Sequence, residues 1–439
     1  MIKANNSVFT EIREYISGIP LIDTHEHYLG ITEPVKNIWN FIMSGYHDSD
    51  MQSASFGNEI YYKNIFDNTL SFDERYSAFE KIYKKIKNTA YVKAFEIGLK
   101  RCWDIDEINL STIKDLCTKL LSREQNFYNA LIEKHNILIK IVDVCDADKF
   151  VEIINGTNKN YSKYCRFAFP LPSFHNIHSC QDIKKLEKYN EGTIIKSLDD
   201  YIDNFSVLLK KAVDFGIVCL KDQTAYRRII DYNNPSKTEA ESIFNKIISN
   251  PRDIFSSNEV RPLDDWLFHN FINLAKQYKL PIQIHTGHMA GIRNDIVKAN
   301  AAHLIKVIEL HSDVAFDLFH GNWPYMGEYL FIGKNYPNAY LDLCWVQTID
   351  PLYSIELMKR AIVTVPHNKI MIFGGDTNKI ENTIGYLELA KDNVAYALSE
   401  MIEMDYLSKN EAGQIAVDWF FNNPNELFNL GLKKLERKI

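Results

Sequence analysis

The chain has 439 residues, 46% of them hydrophobic, and a formal net charge of -7 with acidic and basic residues mixed along its length. This composition is typical of a globular enzyme, and it argues against nucleic acid or an anionic membrane as a partner. No apolar run is long enough to span a bilayer, residues 1–6 lack the apolar core of a signal peptide, and the seven scattered cysteines form no disulfide framework. We therefore expect a cytoplasmic protein with a small-molecule substrate. The sequence leaves open whether it forms a homo-oligomer.

Short apolar runs alternate with longer amphipathic segments along the chain. The apolar runs predict eight β-strands, at residues 19–24, 137–144, 165–170, 216–221, 281–285, 314–320, 339–344 and 370–374. The amphipathic segments predict helices between them, among them 198–215, 264–278, 295–311 and 353–363. Eight strands separated by helices indicate a (β/α)8 TIM barrel. An open doubly wound sheet is the alternative, but the Gly-rich turn that would bind a nucleotide phosphate after the first strand is missing.

A long segment separates the first two predicted strands. Residues 72–87 and 112–119 within it have helical patterns, and a connection of this length is expected to have structure of its own. We interpret residues 28–135 as a helical insertion on the catalytic side of the barrel, where it walls or caps a pocket. The prediction is one domain over residues 1–439 that includes this insertion.

Four histidines and one aspartate stand where predicted strands end. His25 and His27 lie at the end of the first strand, and side chains two apart on a strand point the same way. His285 ends the fifth strand, His320 ends the sixth, and Asp376 follows the eighth. Catalytic groups of a (β/α)8 barrel come from the carboxyl ends of its strands, so these side chains are expected to converge. Imidazoles and carboxylates are ligands of zinc, which indicates a metal centre.

With His25-x-His27, His285, His320 and Asp376 in this order, the chain resembles the amidohydrolase superfamily, in particular its metal-dependent hydrolases and decarboxylases. The long insertion is also similar to that of uronate isomerases in the same superfamily. The resemblance implies that His25, His27, His285 and Asp376 hold one divalent metal ion, expected to be Zn²⁺. It further implies metal-assisted hydrolysis, with Asp376 and His320 as catalytic residues. Asp376 would move the proton of the activated water to the leaving group, and His320 would stabilise negative charge on the substrate.

Four further side chains near the predicted strand ends are candidate substrate-binding residues: Lys221, Arg227, His288 and Trp345. The ammonium of Lys221 could bind a substrate carboxylate, pair with Asp376, or be carbamylated and bridge two metal ions. The planar guanidinium of Arg227, or of Arg228 beside it, suits a carboxylate.

Structural roles are the alternatives for these residues. The histidines could be buried and hydrogen-bonded, Asp376 could cap the following helix, Trp345 could pack against the insertion, and Glu26 is expected to face the surrounding helices. Three functions are considered. The first is a metal-dependent hydrolase that cleaves a C–N or C–O bond of a small polar or carboxylated molecule. The second is a decarboxylase or uronate-type isomerase on the same metal site, and the third is a non-catalytic barrel used as a binding module.

Overall fold

The fold is an eight-stranded parallel barrel, described by a computed structural model over residues 7–30, 35, 37–55, 59–124, 126–190 and 193–436. Residues 1–6, which bear on the signal-peptide prediction, and residues 31–34, 36, 56–58 and 125 of the predicted insertion lie outside these ranges. The strands are β1 Leu21–Glu26, β2 Ile137–Val142, β3 Cys165–Pro170, β4 Cys219–Asp222, β5 Ile282–Ile284, β6 Phe316–Leu318, β7 Ala339–Asp342 and β8 Ile370–Met371. Each strand pairs with the next in parallel.

The first strand closes the barrel against the chain that follows β8. The backbone N–H and the hydroxyl of Thr24 donate to the carbonyl oxygen of Phe373, at 3.0 and 3.1 Å. Both faces of the strands in such a barrel are covered, so the strands are expected to be continuously apolar. This explains why the eight short apolar runs of the sequence form the strands. The predicted (β/α)8 barrel is therefore confirmed, and β3 has the predicted bounds.

Helices cover the outside of the barrel, and Ser7–Ser17 precedes β1. The other described barrel helices are Ala147–Ile154, Pro172–His175, Cys180–Tyr189, Leu198–Phe215, Lys237–Ser249, Ser257–Gln277, Ile305–Leu310, Met326–Asn335, Val346–Ile349, Pro351–Thr364, Ile380–Glu403, Lys409–Val417 and Asn423–Leu427. None of the helices in the described ranges is both long and apolar enough to cross a membrane.

The helix predicted at 295–311 is interrupted. Two 3-10 turns, Ile296–Ala299 and Ala301–Leu304, precede the short α-helix Ile305–Leu310. The side chains of Asp295 and Asn300 accept hydrogen bonds from backbone N–H groups two residues further on, at 3.2 and 3.0 Å. Such local side-chain bonds compete with a continuous helix, and here each caps the start of a 3-10 turn.

The insertion between β1 and β2 is helical, as predicted. Its described helices are Ile38–Met43, His47–Ala54, Glu59–Phe66, Phe72–Ile86, Ala90–Trp103, Leu110–Leu121 and Phe127–Lys134. They bury an apolar cluster of their own, which includes Trp39, Met51, Phe79, Phe95 and Leu116. The insertion therefore carries its own core beside that of the barrel.

Helix Ala90–Trp103 joins the insertion to the barrel by packing against helix Ile380–Glu403. Two glycines lie at the contact, Gly98 on the insertion side and Gly385 on the barrel side. A Cβ atom would lie 2.0 Å from a backbone oxygen of the facing helix at Gly98, and 1.9 Å from one at Gly385. The two backbones thus approach to a distance that a larger side chain at either position would prevent.

Candidate metal centre

The five predicted side chains meet at the carboxyl end of the barrel. His27 Nε2 lies 2.9 Å from Asp376 Oδ1, and His25 Nε2 lies 3.6 Å from the same oxygen. His320 Nε2 lies 3.6 Å from the other carboxylate oxygen, Oδ2, and 3.1 Å from Nδ1 of His285. All are buried except His27, whose side chain is 26% exposed. The structure thus brings together side chains from β1 and from the segments that follow β5, β6 and β8.

Backbone carbonyl groups fix the ring orientation of three of these histidines. The pairs are His27 Nδ1 with Asp143 O at 3.0 Å, His320 Nδ1 with Cys344 O at 3.1 Å, and His285 Nε2 with His288 O at 2.8 Å. Because a carbonyl oxygen only accepts, the nitrogen beside it carries the hydrogen. In the neutral rings of His285 and His320, the other nitrogen then presents a lone pair towards the centre of the cluster. Metal-binding histidines are commonly oriented in this way.

These two lone pairs face each other, because His320 Nε2 and His285 Nδ1 are 3.1 Å apart. Two acceptors at such a distance repel each other unless a proton or a cation lies between them. His27 Nε2 instead donates a hydrogen bond to the carboxylate of Asp376, at 2.9 Å. Four imidazoles and a carboxylate are also a donor set that divalent zinc prefers. The arrangement therefore fits a bound divalent ion.

The pKa values of the cluster differ from one histidine to another. Burial lowers the pKa of His320 to about 3, and it holds the pKa values of His25 and His285 well below the usual 6.5. Burial alone would also lower the pKa of His27, but its hydrogen bonds with Asp376 and Cys145 raise it well above 6.5. Burial alone would raise the pKa of Asp376, but the hydrogen bond with His27 and the neighbouring imidazoles hold it well below the ordinary value. Neutral imidazoles and an ionised carboxylate are the forms that bind a metal, so metal binding requires His27 to release a proton.

Asp376 does not cap the helix that follows it. That helix begins at Ile380, and its N-cap residue is Lys379. Asp376 instead lies in the loop after β8 with φ of 49°, in the left-handed region. The alternative role as a helix cap is therefore wrong.

The four predicted substrate-binding residues have different surroundings. Lys221 is 1% exposed, and its ammonium lies 3.7 Å from the ring centroid of Phe319 without a hydrogen-bond partner in the described ranges. The alternative of a hydrogen-bonded pair with Asp376 is therefore wrong. Arg227 is exposed, whereas the neighbouring Arg228 is buried and engaged by a carboxylate of the outer helices. Arg227 therefore takes no part in this ion pair.

His288 and Trp345 form part of an aromatic wall over the cluster. Their ring centroids are 5.0 Å apart, and Trp345 lies 5.1 Å from His320. Tyr46 of the insertion packs against Trp345 at 4.0 Å, and Tyr226 lies 4.8 Å from His285. Trp345 therefore contacts both the insertion, as its packing alternative required, and a histidine of the cluster.

Sequence reasoning missed several of these neighbours. Asp143 follows β2, and its carboxylate lies within 4.8 Å of ligand atoms of His25 and His27. The thiol of Cys145 lies 3.4 Å from His27 Nδ1. Asp143 carried the same signal as the predicted residues, a polar side chain after an apolar run. Tyr46 carried no local signal, because its position depends on how the insertion folds.

A cavity of about 450 Å³ opens beside the cluster, between the barrel loops and the insertion. Its lining residues are His27, Met43, Ser44, Gly45, Tyr46, Asp48, Ser49, Gln52, Ala290, Gly291, Thr377 and Asn378. None of these described residues is lysine or arginine. The insertion thus forms one wall of the cavity, as predicted, and Asp48 is the acidic side chain on that wall.

Comparisons with known proteins agree with this fold. A family model described as Amidohydrolase matches residues 254–412. Protein fluG of Emericella nidulans is 29% identical over 250 residues, which are 53% of this chain and 28% of the fluG chain.

Solved structures align over almost the whole chain. The uronate isomerase of Thermotoga maritima superposes with a TM-score of 0.77 at 14% identity, over 97% of this chain and 98% of its own. The glucuronate isomerase of Caulobacter crescentus gives 0.70 at 14% identity, over 98% and 96%. A predicted metal-dependent hydrolase of Lactobacillus casei gives 0.67 at 15% identity, over 96% and 98%. Residues 254–412 thus match the Amidohydrolase family model, and the fold of the whole chain is like that of the uronate isomerases.

Proposed function

We propose that this protein is a metal-dependent hydrolase that cleaves a C–N or C–O bond of a small polar molecule. The observation that carries this proposal is the contact between two acceptors, His320 Nε2 and His285 Nδ1, at 3.1 Å. A cation at the centre of the cluster removes this repulsion. The match of residues 254–412 to the Amidohydrolase family model also supports this proposal, because the resemblance to that superfamily implies metal-assisted hydrolysis.

His25, His27, His285 and Asp376 would hold one divalent ion, and their nitrogen and oxygen donors suit Zn²⁺. When bound, the ion supplies Lewis-acid chemistry, which polarises a substrate oxygen and lowers the pKa of water towards ~7. The backbone carbonyl groups behind the rings keep these donors aimed while substrate enters and product leaves.

Asp376 is the proposed proton acceptor. Its Oδ1 faces His25 and His27, whereas its Oδ2 lies 3.6 Å from His320 Nε2. The carboxylate therefore has one oxygen directed to the metal ligands and one that can take a proton from water. Burial excludes bulk solvent from this transfer, because Asp376 is 4% exposed.

His320 receives a role that differs from the one expected. Its Nδ1 donates to Cys344 O, so the neutral ring offers a lone pair at Nε2 and cannot donate a hydrogen bond there. We propose that Nε2 first takes the proton collected by Asp376. The resulting imidazolium then stabilises negative charge on the substrate and donates the proton to the leaving group.

The substrate is proposed to be an uncharged polar molecule that enters along the insertion. The cavity beside His27 offers Ser49, Gln52 and Asn378 as hydrogen-bonding groups and Tyr46 as an aromatic surface. Its described lining lacks the lysine or arginine that a carboxylate would need. His288 and Trp345 continue the aromatic surface towards the cluster.

Decarboxylation or uronate-type isomerisation on the same ion is the second candidate. The observation that favours it is the ammonium of Lys221, which is buried and has no hydrogen-bond partner among the described residues. An exposed guanidinium, that of Arg227, also follows β4. A substrate carboxylate that reached these two cations would be bound as this candidate requires.

The test is the metal content per chain of the wild type and of His25→Ala/His27→Ala, followed by a substrate panel. About one ion in the wild type and none in the double variant is expected, with turnover of lactones or amides. Turnover of uronates or β-keto acids alone would establish the second candidate. A wild type that takes up none of Zn²⁺, Mn²⁺ and Fe²⁺ would overturn both and leave a binding module.

A further inference from the structure

The loop that carries Asp376 is held by the first strand through three consecutive backbone N–H groups. The bonds are Gly375 N to Asp23 Oδ1 at 3.0 Å, Asp376 N to His25 O at 2.8 Å, and Thr377 N to Glu26 Oε2 at 3.0 Å. Two of the three acceptors are side-chain carboxylates. Both carboxylates are fully buried, so these bonds are shielded from competing water.

Glu26 connects the loop to the helix that follows it. While Oε2 accepts from Thr377, its Oε1 accepts from the hydroxyl of Thr383 at 2.6 Å, in the first turn of the following helix. A Cβ atom on Gly375 would lie 2.1 Å from that same Oε1. Glycine at 375 therefore gives the carboxylate room to reach the loop.

This loop needs such support because Asp376 has φ of 49°. A non-glycine residue adopts the left-handed region readily only when the surrounding structure fixes it. The bonds to Gly375 and Thr377 fix the backbone on both sides of Asp376. The direction in which its carboxylate points follows from that backbone.

We propose that the carboxylates of Asp23 and Glu26 are positioning residues that hold the Gly375–Thr377 backbone and so aim Asp376 at the metal centre. This inference rests on the metal centre proposed above. It makes specific the supporting or structural role expected of Glu26 from the sequence, because it links that side chain to the geometry of one metal ligand.

The test uses Co²⁺ as the probe, because the visible absorption of bound Co²⁺ depends on ligand geometry. Glu26→Leu keeps the size of the side chain but removes both acceptors. Glu26→Gln can still accept from Thr377 N and can donate to the Thr383 hydroxyl. We expect Glu26→Leu to change the Co²⁺ spectrum and weaken binding by about 10- to 100-fold, and Glu26→Gln to restore both towards wild type.

A second pair of variants tests the same contact from the loop side and does not depend on the folding of Glu26→Leu. Gly375→Ala is expected to displace Glu26 and to alter the Co²⁺ spectrum in the same direction. In Glu26→Ala the nearest remaining neighbour of the added methyl group would be the methyl group of Thr383, at 3.4 Å, which is an ordinary contact. Adding Gly375→Ala to Glu26→Ala should therefore change little. Thr383→Val is the control, because it removes the hydroxyl contact and spares the bond to Thr377.

The outcomes separate this inference from the proposed function. A wild type that binds Co²⁺ while Glu26→Leu and Gly375→Ala keep its spectrum and affinity would overturn the positioning role alone. Independent, additive effects of Gly375→Ala and Glu26→Ala would also overturn it. A wild type that binds no Co²⁺ would overturn the proposed metal centre, and this inference with it.

Discussion

Replacing Gly98 by alanine is expected to strain the contact between the insertion and the barrel. The added Cβ would lie 2.0 Å from the carbonyl oxygen of Glu381, whereas real Cβ atoms essentially never come closer than 3.0 Å to such a neighbour. Overpacking reduces the folding free energy by about 1–3 kcal/mol. The upper part of this range applies here, because the atom that the new methyl group meets belongs to the backbone. Alanine gains about 1 kcal/mol of helix propensity over glycine. The net loss of folding free energy should thus be about 2 kcal/mol.

The assay is thermal unfolding followed by circular dichroism, with Gly327→Ala as the matched control. Gly327 lies in helix Met326–Asn335, and no atom lies within 4 Å of a Cβ built there. Gly98→Ala should lower the midpoint by roughly 2 °C, whereas Gly327→Ala should leave it unchanged or raise it slightly. Equal midpoints for the two variants would refute the close backbone approach at Gly98.

Three further predictions concern histidines. Removing both rings in His25→Ala/His27→Ala should abolish metal binding by elemental analysis, and an ion retained at one per chain would contradict the ligand assignment. His320→Ala should retain the ion but lose about 10²-fold or more in turnover, and loss of the ion would instead make His320 a ligand. Burial and the neighbouring His269, 2.8 Å away, lower the pKa of His311 from 6.5 to about 4. The unfolded chain then takes up a proton at a higher pH than the folded one, so this contribution to stability is present above pH 6.5 and is lost as the pH falls to about 4. This loss of unfolding free energy should be on the order of 1–3 kcal/mol. In urea unfolding at several pH values, His311→Asn should reduce the fall in stability between pH 6.5 and about 4. An unchanged pH profile would contradict this origin.

Much of the fold could be predicted because it depends on local patterns. Each barrel strand is a short apolar run, and helix Leu198–Phe215 has the bounds that its periodicity indicated. The ends of those runs also indicated which polar side chains would converge, since parallel strands deliver their carboxyl ends to one face. His285 and Asp376 were recognised for this reason, although 91 positions separate them in the sequence.

What could not be predicted depends on contacts between distant segments. Arg228 looked equivalent to Arg227, but it lies 2.5 Å from Asp265, a residue whose proximity no local pattern reveals. Which ring nitrogen of His320 presents its lone pair depends on a hydrogen bond to a backbone carbonyl group 24 residues away. The break in the 295–311 helix was missed because the periodicity of apolar residues outweighed Asn300, whose side chain competes for backbone N–H groups.

The separate apolar cluster of the insertion has a consequence for how substrate preference can evolve. The candidate ligands are fixed by strands and by backbone carbonyls of the barrel, whereas Ser49 and Gln52 reach the cavity from a helix that packs in the insertion's own core. Substitutions at these two positions can therefore alter which molecule is admitted while the reactive centre stays in place. Directed libraries confined to Ser49 and Gln52 offer a route to new specificities with little risk to metal binding.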